Sequence, residues 1–391
     1  MHLCKNFKNQ CHLLFLHFAS ECVQTQNQTK ENSMCSNCSI QLSPQDTEAF
    51  AGSLLGILNN GATAMMISIG HRTGLFNMMH QTGASNSETL ANAANLNERY
   101  VREWLGTMTT SGIVMYDPTT GLYSLPNEHA MLLTNAPDAT NMAGFMQWIS
   151  VLGDVESEIV ECFHNGGGVP YSSYERFHDV MAEHSDGTIL GGFDQGILEL
   201  IPGLEQQLID GIKVLDIACG KGHAILELAR RYPNSQFVGV DFSEEAINDA
   251  RISASAADIN NVEYEIADVS KLNYSNEFDL ITAFDAIHDQ RDPATVLSNI
   301  KNAMSNDGIF LMQDIAASSN VEMNIGQPLS PLIYTISCMH CMSVSLQQGG
   351  LGLGAAWGKE LALTMLDDAG FKGVETHDLP HDIMNHYYIA R

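Results

Sequence analysis

Apolar positions in this chain first recur at helical spacing and later gather into strand-like runs alternating with helices, so the change of rhythm divides the sequence. In the first region, Ala62 to Ile69 predicts an apolar helix closed by Gly70, and Leu75-Phe76 opens a second short element. Ser87 caps a helix carrying Leu90, Ala93 and Ala94 that breaks at Asn95. Asn97 caps another with Tyr100, Val101, Trp104, Leu105 and Met108 at helical spacing. Ile113 to Tyr116, a turn from Asp117 to Gly121, and Leu122 to Leu125 then read as a hairpin. Helices followed by a hairpin predict a winged helix over residues 46–135.

Residues 136–200 read as a mostly helical connector broken at Gly166, Gly167, Gly168 and Pro170. The aromatic residues Phe145, Trp148, Tyr174 and Phe177 nearby predict either a pocket wall or ordinary helix packing. In the region 201–391 the pattern alternates between strand and helix, the signature of a parallel sheet covered on both faces. Strands are expected at Ile212–Ile217, Gln236–Val240, Val262–Ile266, Phe278–Phe284 and Ile309–Gln313, with two more at Phe371–Thr376 and His386–Ala390.

Charge narrows the partners. The chain carries 18 Lys plus Arg against 46 Asp plus Glu, a formal net charge of −28, and such a surface repels phosphate backbones and anionic lipid. The winged-helix region has Arg72, Arg99 and Arg102 but no lysine, and its acids outnumber them. Dimerisation or a lid role is therefore expected of it in preference to nucleic-acid binding. Nine cysteines scattered over 391 residues are unlike a disulfide framework and fit a reducing, cytoplasmic setting. The longest apolar run near the N-terminus, Leu13 to Ala19, is interrupted by His17, so no membrane span is expected. Without a small-x-small cleavage site it is not read as a secretory signal either. Residues 1–45 read as a disordered leader, rich in Gln and Asn ahead of Met34.

The chemistry gathers where the strands end. The loop Ala218-Cys219-Gly220-Lys221-Gly222 between a strand and a helix serves many nucleotides and is weak alone. Carboxylates sharpen it: Asp216 and Asp241 end the first two strands, while Asp268 and Asp285 follow the third and fourth. These ends line the ligand crevice of an open α/β sheet. Asp241 stands about 20 residues beyond the loop, the spacing at which an acid meets ribose hydroxyls. NAD would use the same acid, but Ile225 occupies the place of the third fingerprint glycine, and acids cradle pyrophosphate badly. A nucleoside bearing sulfonium and ammonium charges suits the same ring of acids. S-adenosylmethionine is the cofactor this selects, with no metal expected.

Val214 to Gly222, Gly239 to Ser243 and Ala267 to Val269 also resemble the three cofactor motifs of class I methyltransferases, over about 190 residues. The fold implied is a Rossmann-like seven-stranded methyltransferase sheet ending in an antiparallel hairpin. The resemblance implies that Asp216 and Gly220 hold the methionine end and Asp241 the ribose, with Ala218 and Gly222 also in the cofactor site. It implies further that Phe242 packs on adenine, Asp268 accepts from its amine, and Val269, Phe284 and Asp285 complete the site. Ala218 stands where many members have glycine, which bears on how closely the backbone approaches the ligand. With the winged helix in front, the chain resembles small-molecule methyltransferases built on that plan.

His288 follows the fourth strand, where an imidazole suits proton abstraction near neutrality. Its position resembles the His-Asp-Trp motif of small-molecule O-methyltransferases, with Gln290 in place of Trp, and Asp285 and Asp289 are expected to orient the ring. The other reading is a histidine capping the helix from Pro293. Gln327 to Gly358 is expected to stand over the crevice as a lid, flexible at Gly349 to Gly354, with Trp357 as a stacking face or a core residue. The Cys35/Cys38 and Cys338/Cys341 pairs lie too far apart in sequence to predict zinc. The function expected is O-methylation of a small molecule by a homodimer. The competing readings are a ligand-sensing transcriptional regulator and an NAD-linked oxidoreductase.

Overall fold

The computed structural model describes residues 42–135 and 141–391, and the chain divides into two compact units after Leu58. The leader up to residue 41, with Cys35 and Cys38, lies outside the described residues. Helix α1 (Pro44–Arg72) begins well before Ala62 and runs past Gly70. It is 29 residues long, and long and apolar enough to cross a membrane by length and composition alone. This corrects the expectation that no stretch approaches such a length. Interleaved Gly, Ser and Asn residues break every apolar run in α1 without lowering its mean hydropathy far.

The winged-helix core forms from α2 (Leu75–Thr82), α3 (Ser87–Ala94) and α4 (Glu98–Thr110). Phe76, Leu90, Val101, Trp104, Leu105 and Met108 interlock there, each almost fully buried. Asn86 caps α3 by accepting from the Thr89 amide, while the expected cap Ser87 donates to Glu98 Oε1 at 2.6 Å. Asn97 caps α4 as expected, but Tyr100 faces solvent at 80% exposure. The wing is β1 (Met115–Asp117) paired antiparallel with β2 (Leu122–Ser124), followed by α5 (Asn127–Leu133).

The connector holds α6 (Gln147–Gly153), α7 (Glu156–Asn165) and α8 (Phe177–Ser185), with α9 (Leu204–Asp210) leading into the sheet. A Cβ on Gly168 would collide with the Ser343 carbonyl oxygen. The backbones touch there because the Val169 amide donates to Ser343 Oγ at 2.8 Å, so only glycine fits.

Seven strands form one sheet in the order β5-β4-β3-β6-β7-β9-β8. The strands are β3 (Lys213–Ile217), β4 (Gln236–Asp241), β5 (Val262–Ile266), β6 (Phe278–Phe284), β7 (Met304–Ile315), β8 (Glu375–Leu379) and β9 (Asp382–Ala390). The first five are parallel, and β9 runs antiparallel to both β7 and β8. Helices α10 (His223–Arg231), α11 (Glu244–Ala256) and α12 (Pro293–Ala303) cross between parallel strands. After β7 come α13 (Ser330–Ile336), a π-helical turn (Ser337–Cys341), α14 (Met342–Gln347) and α15 (Gly358–Asp368). Two apolar cores, one around Val214, Leu280 and Leu311 and one around Leu215, Ile281 and Phe310, follow from alternation along buried strands. Strand order reverses beside β3, where the chain leaves for β4 and β5 and returns to β6. The carboxyl ends at that reversal open a crevice.

Candidate functional site

One cavity of about 340 Å³ opens over these strand ends. Its lining takes in Asp216, Ala218, Gly220, Gly222, Asp241, Phe242, Asp268, Val269, Phe284, Asp285 and His288, so the folded chain brings all the sequence-chosen residues together.

The loop after β3 turns sharply. Ala218 and Gly220 adopt left-handed φ of 53° each, and Gly222 one of 69°. A side chain on Gly222 would run into the Tyr264 ring. Ala218 therefore does more than limit backbone approach: it holds a conformation that costs an L residue about 1 kcal/mol. Asp285, at the end of β6, is left-handed as well, with φ 55°.

The acids differ in their surroundings. Asp216 is buried, accepts from Thr282 Oγ1 at 2.6 Å, and is pushed up to about 7 by that burial. Asp241 accepts from the Gly220 amide at 2.9 Å and the Ser243 amide at 2.8 Å. Burial still raises it above the usual carboxylate range. Neither has a Lys or Arg ion pair among the described residues. A cationic nucleoside fits this pair of acids, because it would supply the counter-charge that neither has from a Lys or Arg among the described residues. Asp268 is different: burial pushes it up, but Ser270 and Lys271 outweigh this and hold it low. Its oxygens accept from Ser270 and pair with Lys271 at 2.9 Å. Phe242 is 54% exposed, so its ring has an open face for a base.

His288 is buried, and Asp314 at the end of β7, not Asp285 or Asp289, orients it. Nδ1 lies 2.8 Å from Asp314 Oδ1 and 3.9 Å from Asp285 Oδ1. The same Asp314 oxygen accepts from Trp357 Nε1 at 2.9 Å and from the Ile315 amide at 2.8 Å. Three donors thus converge on one buried oxygen and fix the carboxylate in place. Burial opposes a charged imidazole, but Asp314 outweighs it, so His288 titrates well above the ordinary histidine range. Asp285 and Asp289 are pushed up to about 7 and about 6 by burial. The cap of α12 is Asp292, which accepts from the Thr295 amide, so His288 is not the helix cap.

The lid residues Ile336, His340, Cys341, Val344 and Gln348 also line the cavity, and so do Trp148, Tyr171 and Phe177 from the connector. Tyr174 instead packs in the connector core, and Phe145 meets the His184 ring edge-on. In the glycine stretch, Gly349 is open, whereas a side chain on Gly350, Gly352 or Gly354 would run into Arg291, Leu346 or Ser337. Trp357 is core, 4% exposed. Sequence reasoning missed Asp314 and the lid histidine and cysteine, because each lies far along the chain from the strand ends it meets.

Residues 208–370 match the family of methyltransferase domains, and residues 61–135 match the Rv2258c-like winged helix-turn-helix domain. N-methyltransferase 4 of Papaver somniferum is 35% identical over 107 residues, 27% of this chain and 30% of its own length. The ubiquinone biosynthesis O-methyltransferase of Neisseria meningitidis is 31% identical over 108 residues, 27% of this chain and 44% of its own. The chain thus spans under half the length of each of these relatives. The fold of human N-acetylserotonin methyltransferase, solved with S-adenosylmethionine, superposes over 90% of this chain and 99% of that one at TM-score 0.62 and 16% identity. S-adenosylmethionine is the cofactor expected of such a domain. The chain thus carries a methyltransferase domain over residues 208–370, preceded by an Rv2258c-like winged helix-turn-helix domain over residues 61–135.

Proposed function

We propose that the protein transfers a methyl group from S-adenosylmethionine to a hydroxyl of a small molecule, with His288 as general base. The observation that carries this reading is one cavity joining the strand-end acids to a histidine fixed by Asp314. The sulfonium of the cofactor supplies an electrophilic methyl carbon. Asp216 and Asp241 hold the cationic nucleoside, Phe242 covers its base, and the lid excludes water. His288 takes the hydroxyl proton as oxygen attacks, while Asp314 holds the ring in place. Screening small hydroxyl compounds with labelled donor tests this. The expected product is a methyl ether whose formation falls about 10²–10⁴-fold in His288→Ala with cofactor affinity kept. Full activity in that variant removes His288 as base and favours an acceptor that needs no deprotonation.

The winged helix is read as a dimerisation element. Arg99 and Arg102 on α4 are paired with Glu103 and Glu98, which leaves little free positive charge for phosphates. Met65 and Ile69, in the apolar, Met-rich run from Ala64 to Ile69, are exposed, and a second copy is the partner proposed to cover them. Light scattering at micromolar concentration should give twice the chain mass, and a monomer mass would refute the dimer. The four described cysteines are free thiols, in keeping with a reducing, cytoplasmic setting.

A further inference from the structure

We propose that Asp285, His288 and Asp314 form a site for a divalent first-row transition ion, and that the ion, once bound, switches off His288 as a base. The site itself is independent of methyl transfer, and only the effect on the base rests on that reading. Phe284 and Gln313 are partners across the parallel strands β6 and β7, so Asp285 and Asp314, the next residue along each, come side by side at the strand ends. His288 follows Asp285 by three residues and turns Nδ1 toward both acids, 2.8 Å from Asp314 Oδ1 and 3.9 Å from Asp285 Oδ1. One ligand atom from each of the three residues lies within 4.8 Å of the others.

Two oxygens of this cluster point to a ligand. Asp285 Oδ1 and Asp314 Oδ2 are buried without a hydrogen-bond partner, and Asp314 is 0% exposed. The ion pairs of both acids are with His288, and neither has a Lys or Arg among the described residues. Buried carboxylates call for a counter-charge, and a divalent ion offers two to this pair. Trp357 Nε1 and the Ile315 amide hold Asp314 Oδ1 at 2.9 Å and 2.8 Å. Outer hydrogen bonds of that kind orient a ligating carboxylate, and they leave Oδ2 for the ion. Asp285 and His288 line the cavity, which supplies the path of entry. One imidazole with two carboxylates suits Zn²⁺, Co²⁺ or Mn²⁺ better than Mg²⁺ or Ca²⁺, which take oxygen ligands. As the bond from Nδ1 to the ion forms, the proton that Nδ1 gives to Asp314 leaves to solvent. The coordinated imidazole keeps its other proton on Nε2, so it has no free lone pair to take a proton from an acceptor hydroxyl.

The test titrates Mn²⁺ into the full chain after dialysis against a chelator, without donor or acceptor, and follows free ion by its electron paramagnetic resonance signal. Salt at about 0.2 M screens the exposed acids, and Mn²⁺ is the probe because thiolates compete poorly for it. One saturable ion per chain should bind, and Asp285→Asn and His288→Gln should each weaken it at least about tenfold. Melting of the ion-free variants reports that they fold, and Asp285→Asn, which breaks no hydrogen bond of Oδ1, carries the test if His288→Gln does not. Absence of a saturable ion in the wild type, or an affinity unchanged in Asp285→Asn, overturns the site. An ion-saturated chain that still methylates an acceptor from the labelled-donor screen at full rate overturns the switch. The methyl-transfer reading stands or falls separately, since the binding readout involves no methyl group.

Discussion

At the scale of single residues, the site turns on how a buried histidine is poised. Asp314 raises the pKa of His288, and a base works only when neutral, so methyl transfer should climb with pH through an inflection above about 6.5, the ordinary histidine value. Asp314→Asn removes the raising charge and should move that inflection to lower pH while reducing turnover; a pH profile of kcat/KM checks both. An inflection that does not move would separate Asp314 from the base. Ala218 offers a second check. Its left-handed φ of 53° should make Ala218→Gly stabilising by about 0.5–1 kcal/mol in urea unfolding, offset in part by the greater freedom of glycine in the unfolded chain. The acids Asp216, Asp241 and Asp285 were legible in the sequence because strand period and loop position determine where a strand ends. Asp314 and Trp357 were not. Their hydrogen bonds cross 26 and 43 residues, and no local period encodes a contact made by packing.

At the scale of elements, the strands were read closely, since parallel strands buried on both faces give continuous apolar runs between turn signals. Val262–Ile266 and Phe278–Phe284 fall where expected. The terminal hairpin was harder: Phe371 packs in the core before β8 begins at Glu375. The lid was legible as an insertion but not as a wall with its own chemistry. Gly350, Gly352 and Gly354 are packed against neighbouring chain, and the π-helical turn that carries His340 and Cys341 leaves no mark in the hydrophobic pattern. Lid and connector are held together where Gly168 meets Ser343. Gly168→Ala should destabilise the protein by about 1–3 kcal/mol through overpacking and widen the cavity wall. A matching loss of the urea midpoint is expected, and an unchanged midpoint would show that α14 shifts freely.

At the scale of the whole molecule, pH should act on folding and on binding in opposite directions. Asp216 and Asp285 are raised to about 7, and Asp289 to about 6. Raised carboxylates stabilise the native state fully below about 4 and lose that contribution as pH rises through about 6–7. The ligand-free melting temperature should carry this falling component across that window. A cationic nucleoside prefers the ionised acids, so its affinity should instead weaken as pH falls from 8 to 6, toward about tenfold per unit for each proton released. The central claim is that this cavity binds S-adenosylmethionine through the acids at the ends of β3 and β4. Calorimetric titration of S-adenosylmethionine into the wild-type chain and Asp241→Ala at pH 7.5 tests it most directly. One site is predicted, weakened about 10- to 100-fold by loss of a charged hydrogen-bonding partner. Absence of binding to the wild type, or equal affinity in the variant, would contradict the account.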